Sequence, residues 1–172
     1  GSGLRFLLCA ADPNESHLSA AAAQADQIVR HLSGLGKALV LDLGSELNDM
    51  TRRIAAMCNQ VIVIVEPQRV ALAMGKNLLA ALEAAGIERT QIEVVMINRL
   101  PRDSKASQQE AEGILTYPIS AFISPAPELA YRAAEKGAPM ILFEHEGVTA
   151  DEVRQLARRA MRNGKLNDAS GA

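Results

Sequence analysis

Short apolar runs alternate with longer amphipathic segments along most of the chain. Five of the runs predict β-strands, at residues 4–10, 38–43, 60–65, 92–97 and 119–123. The third run, QVIVIV, has five consecutive Val and Ile residues, which is typical of a strand buried on both faces. Because a helical segment follows each run, the pattern predicts parallel strands joined by right-handed crossovers.

The predicted helices lie at residues 16–33, 48–58, 70–85, 107–113, 128–136 and about 149–163. Gly86 follows the best of them, 70–85, and is expected in the left-handed conformation that ends a helix. The predicted fold class is α/β: a doubly wound, mainly parallel sheet flanked by helices in a Rossmann-like three-layer sandwich. We expect one domain over 4–163, an expression-tag remnant at 1–3 and a flexible tail at 164–172.

Composition narrows the classes of function. Hydrophobic residues make up 48% of the 172 but aromatic ones only 3%, so an aliphatic core is expected. A net charge of -2 gives no sign of a basic surface for specific nucleic-acid binding. Cys9 and Cys58 lie in apolar surroundings and predict buried thiols, and the isolated histidines predict no metal site. No run approaches the ~18 apolar residues of a membrane span, so a cytoplasmic protein is expected.

Candidate binding residues follow the predicted strands. In open parallel sheets, ligands bind beyond the carboxyl ends of the strands. The residues there include Asp42 and Gly44 after the second strand, Glu66 after the third, the Asn98-Arg99 pair after the fourth, and Pro125 after the fifth. We expect these loops to converge on one rim.

Four segments, in this order, carry a family resemblance: ALVLDLGSELND, VIVIVEPQRVALAMGKNLLAAL, VVMINR and ISAFISPAPELAYRAAEKGAPM. Together they resemble the ParA/MinD family of ATPases, closest to its CpaE/TadZ pilus-assembly branch. The resemblance covers about residues 4–162 and implies a P-loop NTPase-like fold.

The resemblance implies roles for the rim residues. Asp42 matches the catalytic aspartate that polarises water or the magnesium shell, and Gly44 matches the switch glycine, although Leu43 replaces the usual proline. Asn98 matches the asparagine that reads the adenine edge, and Pro125 belongs to the loop that packs on the base. Arg99 is expected to close over the nucleotide.

Two carboxylates also have simpler interpretations. Glu66 is a candidate magnesium ligand, but an acid before proline at a strand end is common turn chemistry. Asp42 suits a plain turn or helix cap equally well. It also resembles the phosphoacceptor of a response-regulator receiver domain, the alternative function, although the other receiver residues do not match.

The phosphate-binding pattern G-x-x-x-x-G-K-[ST] occurs nowhere in the sequence. Two near misses, at residues 31–38 and 70–77, lack the first glycine and fall before a predicted strand and inside a predicted helix. We therefore predict that this chain holds no cofactor and does not hydrolyse ATP. The resemblance implies ATP and magnesium for a full-length protein.

The resemblance also places a loop-bearing strand between those predicted at 38–43 and 60–65. We expect that slot to be closed by direct pairing of the two strands or by a partner chain, because unpaired backbone groups are costly inside a protein.

The implied partners are a second copy of the chain, in a homodimer, and pilus, secretion or partitioning proteins. The last helix carries Arg154, Arg158, Arg159, Arg162 and Lys165 beside an apolar face. That composition suits a membrane-surface helix, but without a Phe or Trp anchor we favour packing on the domain. A flavodoxin-like binder of a small ligand is a third interpretation.

Overall fold

The computed structural model describes residues 5, 7, 22–97, 106–143 and 147–168. It divides into two compact units, residues 1–57 and 58–172, which are described separately. The single domain predicted over 4–163 stays a prediction. The strand predicted at 4–10 and the start of the helix predicted at 16–33 lie almost wholly outside the described residues.

The first unit contains α1 (Ala22–Ser33) and α2 (Asp49–Ala56). The two helices pack together, and an ion pair joins Arg53 Nε to Asp26 Oδ1 at 3.3 Å. Helix α2 begins after Asn48, whose side-chain oxygen accepts a hydrogen bond from the Thr51 backbone N–H at 2.9 Å. This cap satisfies one of the backbone donors that every helix leaves free in its first turn.

The strand predicted at 38–43 is not seen among the described residues. The segment belongs to no β-ladder there, and Val40 is 91% exposed. Its apolar sequence has the composition of a strand, but a strand also needs a hydrogen-bonded neighbour. Residues 38–43 have no such neighbour within the part of the chain that the structure describes.

The second unit contains a parallel sheet. Its strands are β1 (Val61–Val65), β2 (Ile92–Ile97) and β3 (Ile119–Ile123), in the order β1-β2-β3. The helices are α3 (Arg69–Ala84), α4 (Gln108–Leu115), α5 (Pro127–Glu135) and α6 (Val148–Asp168). The predicted α/β fold class is confirmed.

Helices cover both faces of the sheet. On one face, α3 packs against β1 and α4, and Gly75 lies beside Val65 and Leu115. On the other face, α6 packs on β3, and Arg159 of α6 pairs with Glu93 of β2 at 3.4 Å. The central strand is therefore buried on both sides, which explains its uninterrupted apolar character outside Glu93.

Strand β1 differs from the prediction of full burial. Ile62 and Ile64 point to the face that carries α6, yet they are 36% and 59% exposed, because α6 packs mainly on β3. In the described sheet β1 pairs only with β2. Closure of the slot, by direct pairing with 38–43 or by a partner chain, stays a prediction.

A polar cluster closes the end of the sheet where the strands begin. The Arg89 guanidinium lies 3.8 Å from the centroid of the Tyr117 ring and pairs with Glu83 at 3.3 Å. The Tyr117 hydroxyl donates to the same Glu83 carboxylate. Burial, followed by the hydrogen bond and charge of Glu83, raises the pKa of Tyr117 to about 12. The cluster ties the end of α3 to the segment entering β3.

Helix ends match the sequence signals only in part. Gly86 has φ of 87° and follows α3 as expected. Helix α4 continues past Gly113 and ends at Thr116, which adopts the left-handed conformation itself. Helix α6 extends to Asp168, so residues 164–168 of the predicted tail continue the helix.

We expect Gly75→Ala to lower the free energy of unfolding by ~1–3 kcal/mol, because the new methyl group would overpack the interface of helix and strand. A Cβ at Gly75 would lie 2.9 Å from Val65 Cγ1 and 3.2 Å from Leu115 Cδ2. Gly113→Ala is the control: it meets nothing within 4 Å and should stabilise by ~0.5–1 kcal/mol through helix propensity. Urea unfolding measures both, and equal gains would contradict the packing argument.

Candidate functional site

The carboxyl ends of β1 and β3 lie at the same edge of the sheet, since all three strands are parallel. The structure therefore brings Glu66 and Pro125, which follow these strands, to one rim on either side of β2. Asn98 and Arg99, which follow β2, lie outside the described residues. That the five loops converge on one binding rim stays a prediction.

The turn after β1 is held by the segment that leads into α4. Pro67 is fully buried, and its carbonyl oxygen accepts a hydrogen bond from the Ala106 backbone N–H at 2.9 Å. The Gln68 side chain approaches Glu66 Oε2 at 3.5 Å. The rim at β1 is thus a fixed turn, with the Glu66 carboxylate beside it.

A second carboxylate lies where α4 begins. Ser107 and Glu110 form a capping box, in which the Ser107 backbone N–H and hydroxyl donate to Glu110 Oε2 at 2.8 and 2.9 Å. Arg69 of α3 lies 3.9 Å from the other oxygen. The backbone N–H of Ser107, then its hydroxyl and the charge of Arg69, lower the pKa of Glu110 below its ordinary value.

The turn after β3 is bound by α6. The Ser124 backbone N–H and hydroxyl donate to the two carboxylate oxygens of Glu152, at 2.6 and 2.9 Å. The Thr149 hydroxyl donates to the Ser124 carbonyl oxygen at 3.2 Å. All three polar groups of Ser124 are therefore satisfied by the first turns of α6.

Sequence reasoning did not identify this contact. Thr149 and Glu152 are three residues apart at the start of a helix, a spacing that indicates a capping box. In the structure both side chains bind Ser124 instead. The sequence signal is the presence of two polar side chains where a helix begins, which a local cap would explain without a tertiary partner.

Asp42 and Gly44 belong to the first unit, so the structure does not group them with Glu66 and Pro125. Asp42 Oδ1 accepts a hydrogen bond from the Gly44 backbone N–H at 3.0 Å. Gly44 has φ of 68°, which favours glycine. This is an Asx turn, so the geometry favours the plain turn interpretation of Asp42.

Neither near miss of the phosphate-binding pattern has the required geometry. In 31–38, the glycines lie in the turn after α1, and no helix follows them directly. In 70–77, Gly75 lies inside α3 with its backbone committed to the helix. A phosphate cradle needs a glycine loop that leads into a helix N-terminus, and the glycines of neither segment are placed there.

Metal-ligating groups do not cluster in 22–97, 106–143 or 147–168: no three His, Cys, Asp or Glu side chains there could hold one ion. Within the same ranges no helix combines the length and apolarity needed to cross a bilayer. Cys58 is partly buried, and burial raises the pKa of its thiol.

Solved structures with the same arrangement of strands and helices exist, although no family model and no curated protein matches the sequence. A ParA family ATPase from Chlorobium tepidum TLS superposes with a TM-score of 0.78 at 13% identity, over 88% of this chain and 62% of that one. The cell division ATPase MinD of Pyrococcus furiosus gives 0.68 at 16% identity, over 95% of this chain and 64% of that one. The chain has the ParA/MinD-type fold.

A third structure with the ParA/MinD-type fold is the septum site-determining protein MinD of Pyrococcus horikoshii OT3, complexed with Mg-ADP. Its TM-score is 0.68 at 15% identity, over 94% of this chain and 63% of that one. The chain spans less than two thirds of the length of each of these three proteins.

We expect the pKa of Glu110 to lie below the ordinary value near 4.5 and to rise toward it in Ser107→Ala, which loses the hydroxyl donor but keeps the backbone N–H. Because this pKa is lowered, the cap stabilises α4 at pH values above the ordinary pKa. The stabilisation is lost as the pH falls through the pKa of the folded chain. Carboxyl titration by NMR measures the shift. An unchanged pKa in Ser107→Ala would contradict the assigned cause, and Gln109→Ala serves as the control.

Proposed function

We propose that this chain is part of a ParA/MinD-like, ATPase-related protein of the CpaE/TadZ type. In this proposal the protein positions or assembles a cellular apparatus, such as a pilus, a secretion system or a partitioning complex, in the cytoplasm. ATP and magnesium bind only in a full-length form, and the chain itself serves as an interaction domain.

The observation that carries the proposal is the arrangement of the rim. Three parallel strands in the order β1-β2-β3 place the Glu66-Pro67 turn and the Ser124–Pro127 turn at one edge, on a fold that superposes on a ParA family ATPase with a TM-score of 0.78. Ligands of open parallel sheets bind at such an edge. Asn98 and Arg99, which follow β2 in the sequence, would complete the part of the site that binds adenine.

The described residues provide no equivalent for the part of the site that would bind the phosphates. Phosphoryl transfer depends on backbone N–H groups, a lysine and a magnesium-bound hydroxyl around the terminal phosphates. The described chain offers no such set, and Asp42 is engaged in its own turn with Gly44. We therefore assign the chain no hydrolysis of its own.

We expect purified chain to release no phosphate from Mg-ATP above background and to show no thermal shift with it. A ligand present at about 100 times its dissociation constant would stabilise the protein by ~2.7 kcal/mol, which a melting experiment detects readily. A P-loop ATPase assayed in parallel is the positive control. Turnover that disappears in Asp42→Asn would contradict the proposal, because that result would place catalysis in this chain.

The gene sequence upstream of Leu4 provides a second test of the full-length form. A strand followed by G-x-x-x-x-G-K-[ST] there supports a nucleotide-binding protein of which this chain is the later part. An upstream region that encodes an unrelated domain or a stop codon argues for a relative that binds no nucleotide.

We also propose that the chain associates with a second copy of itself. Large apolar side chains are exposed in the second unit, among them Ile64 at 59%, Val70 at 72% and Met74 at 69%. Exposed apolar area of this kind is common at protein interfaces.

Sedimentation equilibrium should show a concentration-dependent dimer whose dissociation constant is unchanged by Mg-ATP, since this chain lacks the cradle through which nucleotide would act. A monomer at every concentration up to about 100 µM would contradict self-association, because a dissociation constant above that level corresponds to binding weaker than about 5.5 kcal/mol. A dimer strengthened by Mg-ATP would contradict the absence of nucleotide binding instead.

A further inference from the structure

The turn that leaves β3 has few backbone N–H donors of its own. It runs Ser124-Pro125-Ala126-Pro127, and both prolines lack the N–H that would close a turn by hydrogen bonding. Each proline also fixes its own φ, so the segment is stiff. Its direction is set mainly by how its first residue is held.

That first residue is held by α6. Glu152 accepts hydrogen bonds from both the backbone N–H and the hydroxyl of Ser124, and Thr149 donates to the Ser124 carbonyl. Hydrogen bonds to a carboxylate are about twice as strong as those between neutral groups. Thr149 and the neighbouring Ala150 are buried, at 9% and 4% exposure, so this contact is part of the packed structure and not a surface feature.

The same helix also binds the start of β3. Arg159 donates to the Ser120 carbonyl oxygen and pairs with the buried Glu93, which accepts from the Ser120 hydroxyl at 2.8 Å. Helix α6 is therefore attached at both ends of one strand. Movement of the helix would be transmitted to the turn through Glu152.

We propose that Glu152 is a positioning residue for the rim: it couples the seating of α6 on β3 to the conformation of the Ser124–Pro127 turn. The assignment of this turn to a nucleotide base rests on the proposed function. The coupling does not, because it is a property of the contacts between α6 and β3.

Amide hydrogen exchange measured by NMR on this chain tests the coupling. In Glu152→Ala the Ser124 amide should exchange at least about tenfold faster, because a charge-assisted hydrogen bond is lost, and the first turns of α6 should follow. Glu152→Gln keeps one acceptor oxygen and should give an intermediate rate. The amide of Val95, in the buried centre of β2, reports whether the whole unit has become less stable.

Asp151→Asn is the matched control. Asp151 is the preceding residue in the same turn, but it is exposed and pairs only with Arg154 at 2.8 Å among the contacts described. This variant should leave Ser124 exchange within about twofold of the unmodified chain, as expected for a surface ion pair.

Coupling is reciprocal, so a change in the turn must also change the stability of the first turns of α6. Ser124→Ala removes the hydroxyl that binds Glu152, and amides of residues 152–156 should exchange several times faster. If Glu152→Ala does not fold, Glu152→Gln gives the same test in a milder form.

Two results would overturn the proposal: Ser124 exchange no faster in Glu152→Ala than in Asp151→Asn, or an equal acceleration of Val95, which would make Glu152 a general stabiliser. Exchange rates involve no nucleotide, so failure of the ATP-related proposal leaves this test intact. A negative result in the exchange experiment would contradict only the coupling and would leave the proposed function untouched.

Discussion

A buried carboxylate on a central strand must be satisfied by its neighbours, and this requirement organises the second unit. Glu93 lies near the start of β2, the central strand, and is 8% exposed. Its oxygens accept hydrogen bonds from Gln60, at the entry to β1, and from Ser120 of β3, and Arg159 of α6 supplies the positive charge. One side chain therefore links three strands to the helix above them. Docking of α6 over β2 and β3 follows from the need to pair this charge.

The docking of α6 has a consequence at the other end of β3. Once Arg159 fixes the helix over the start of the strand, the first turn of α6 reaches Ser124 at the strand's end. The proline-rich turn beyond it has few donors of its own and takes its anchor from Glu152. The rim turn is thus built from the sheet and from a helix about twenty-five residues further along the chain.

Local sequence determined much of the fold but little of the site. Strands β2 and β3 match the predicted bounds because β-branched runs between turn residues have few other ways to bury themselves. The run at 38–43 is also mostly apolar but has a single β-branched residue, and it forms no strand among the described residues, since pairing depends on a neighbour that local pattern does not supply. The Glu152–Ser124 contact was not predictable either, because Glu152 also satisfies a local helix-start signal. One glycine was clearer: Gly86 has the left-handed conformation predicted for the end of its helix, and Gly44, for which none was predicted, has it too.

Gly75 and Lys76 match the Gly-Lys pair of the phosphate-binding pattern, but the glycine has a different structural role here. In a phosphate-binding loop, the glycine of a Gly-Lys pair keeps the backbone open to an anion. Here the glycine faces inward, and Val65 and Leu115 occupy the space that a side chain at this position would need. Substitutions around Gly75-Lys76 that aim to create a phosphate-binding loop would disturb the packing of α3 on β1. That loss of packing would come without a nucleotide site in return. The loop would have to be introduced elsewhere in the chain.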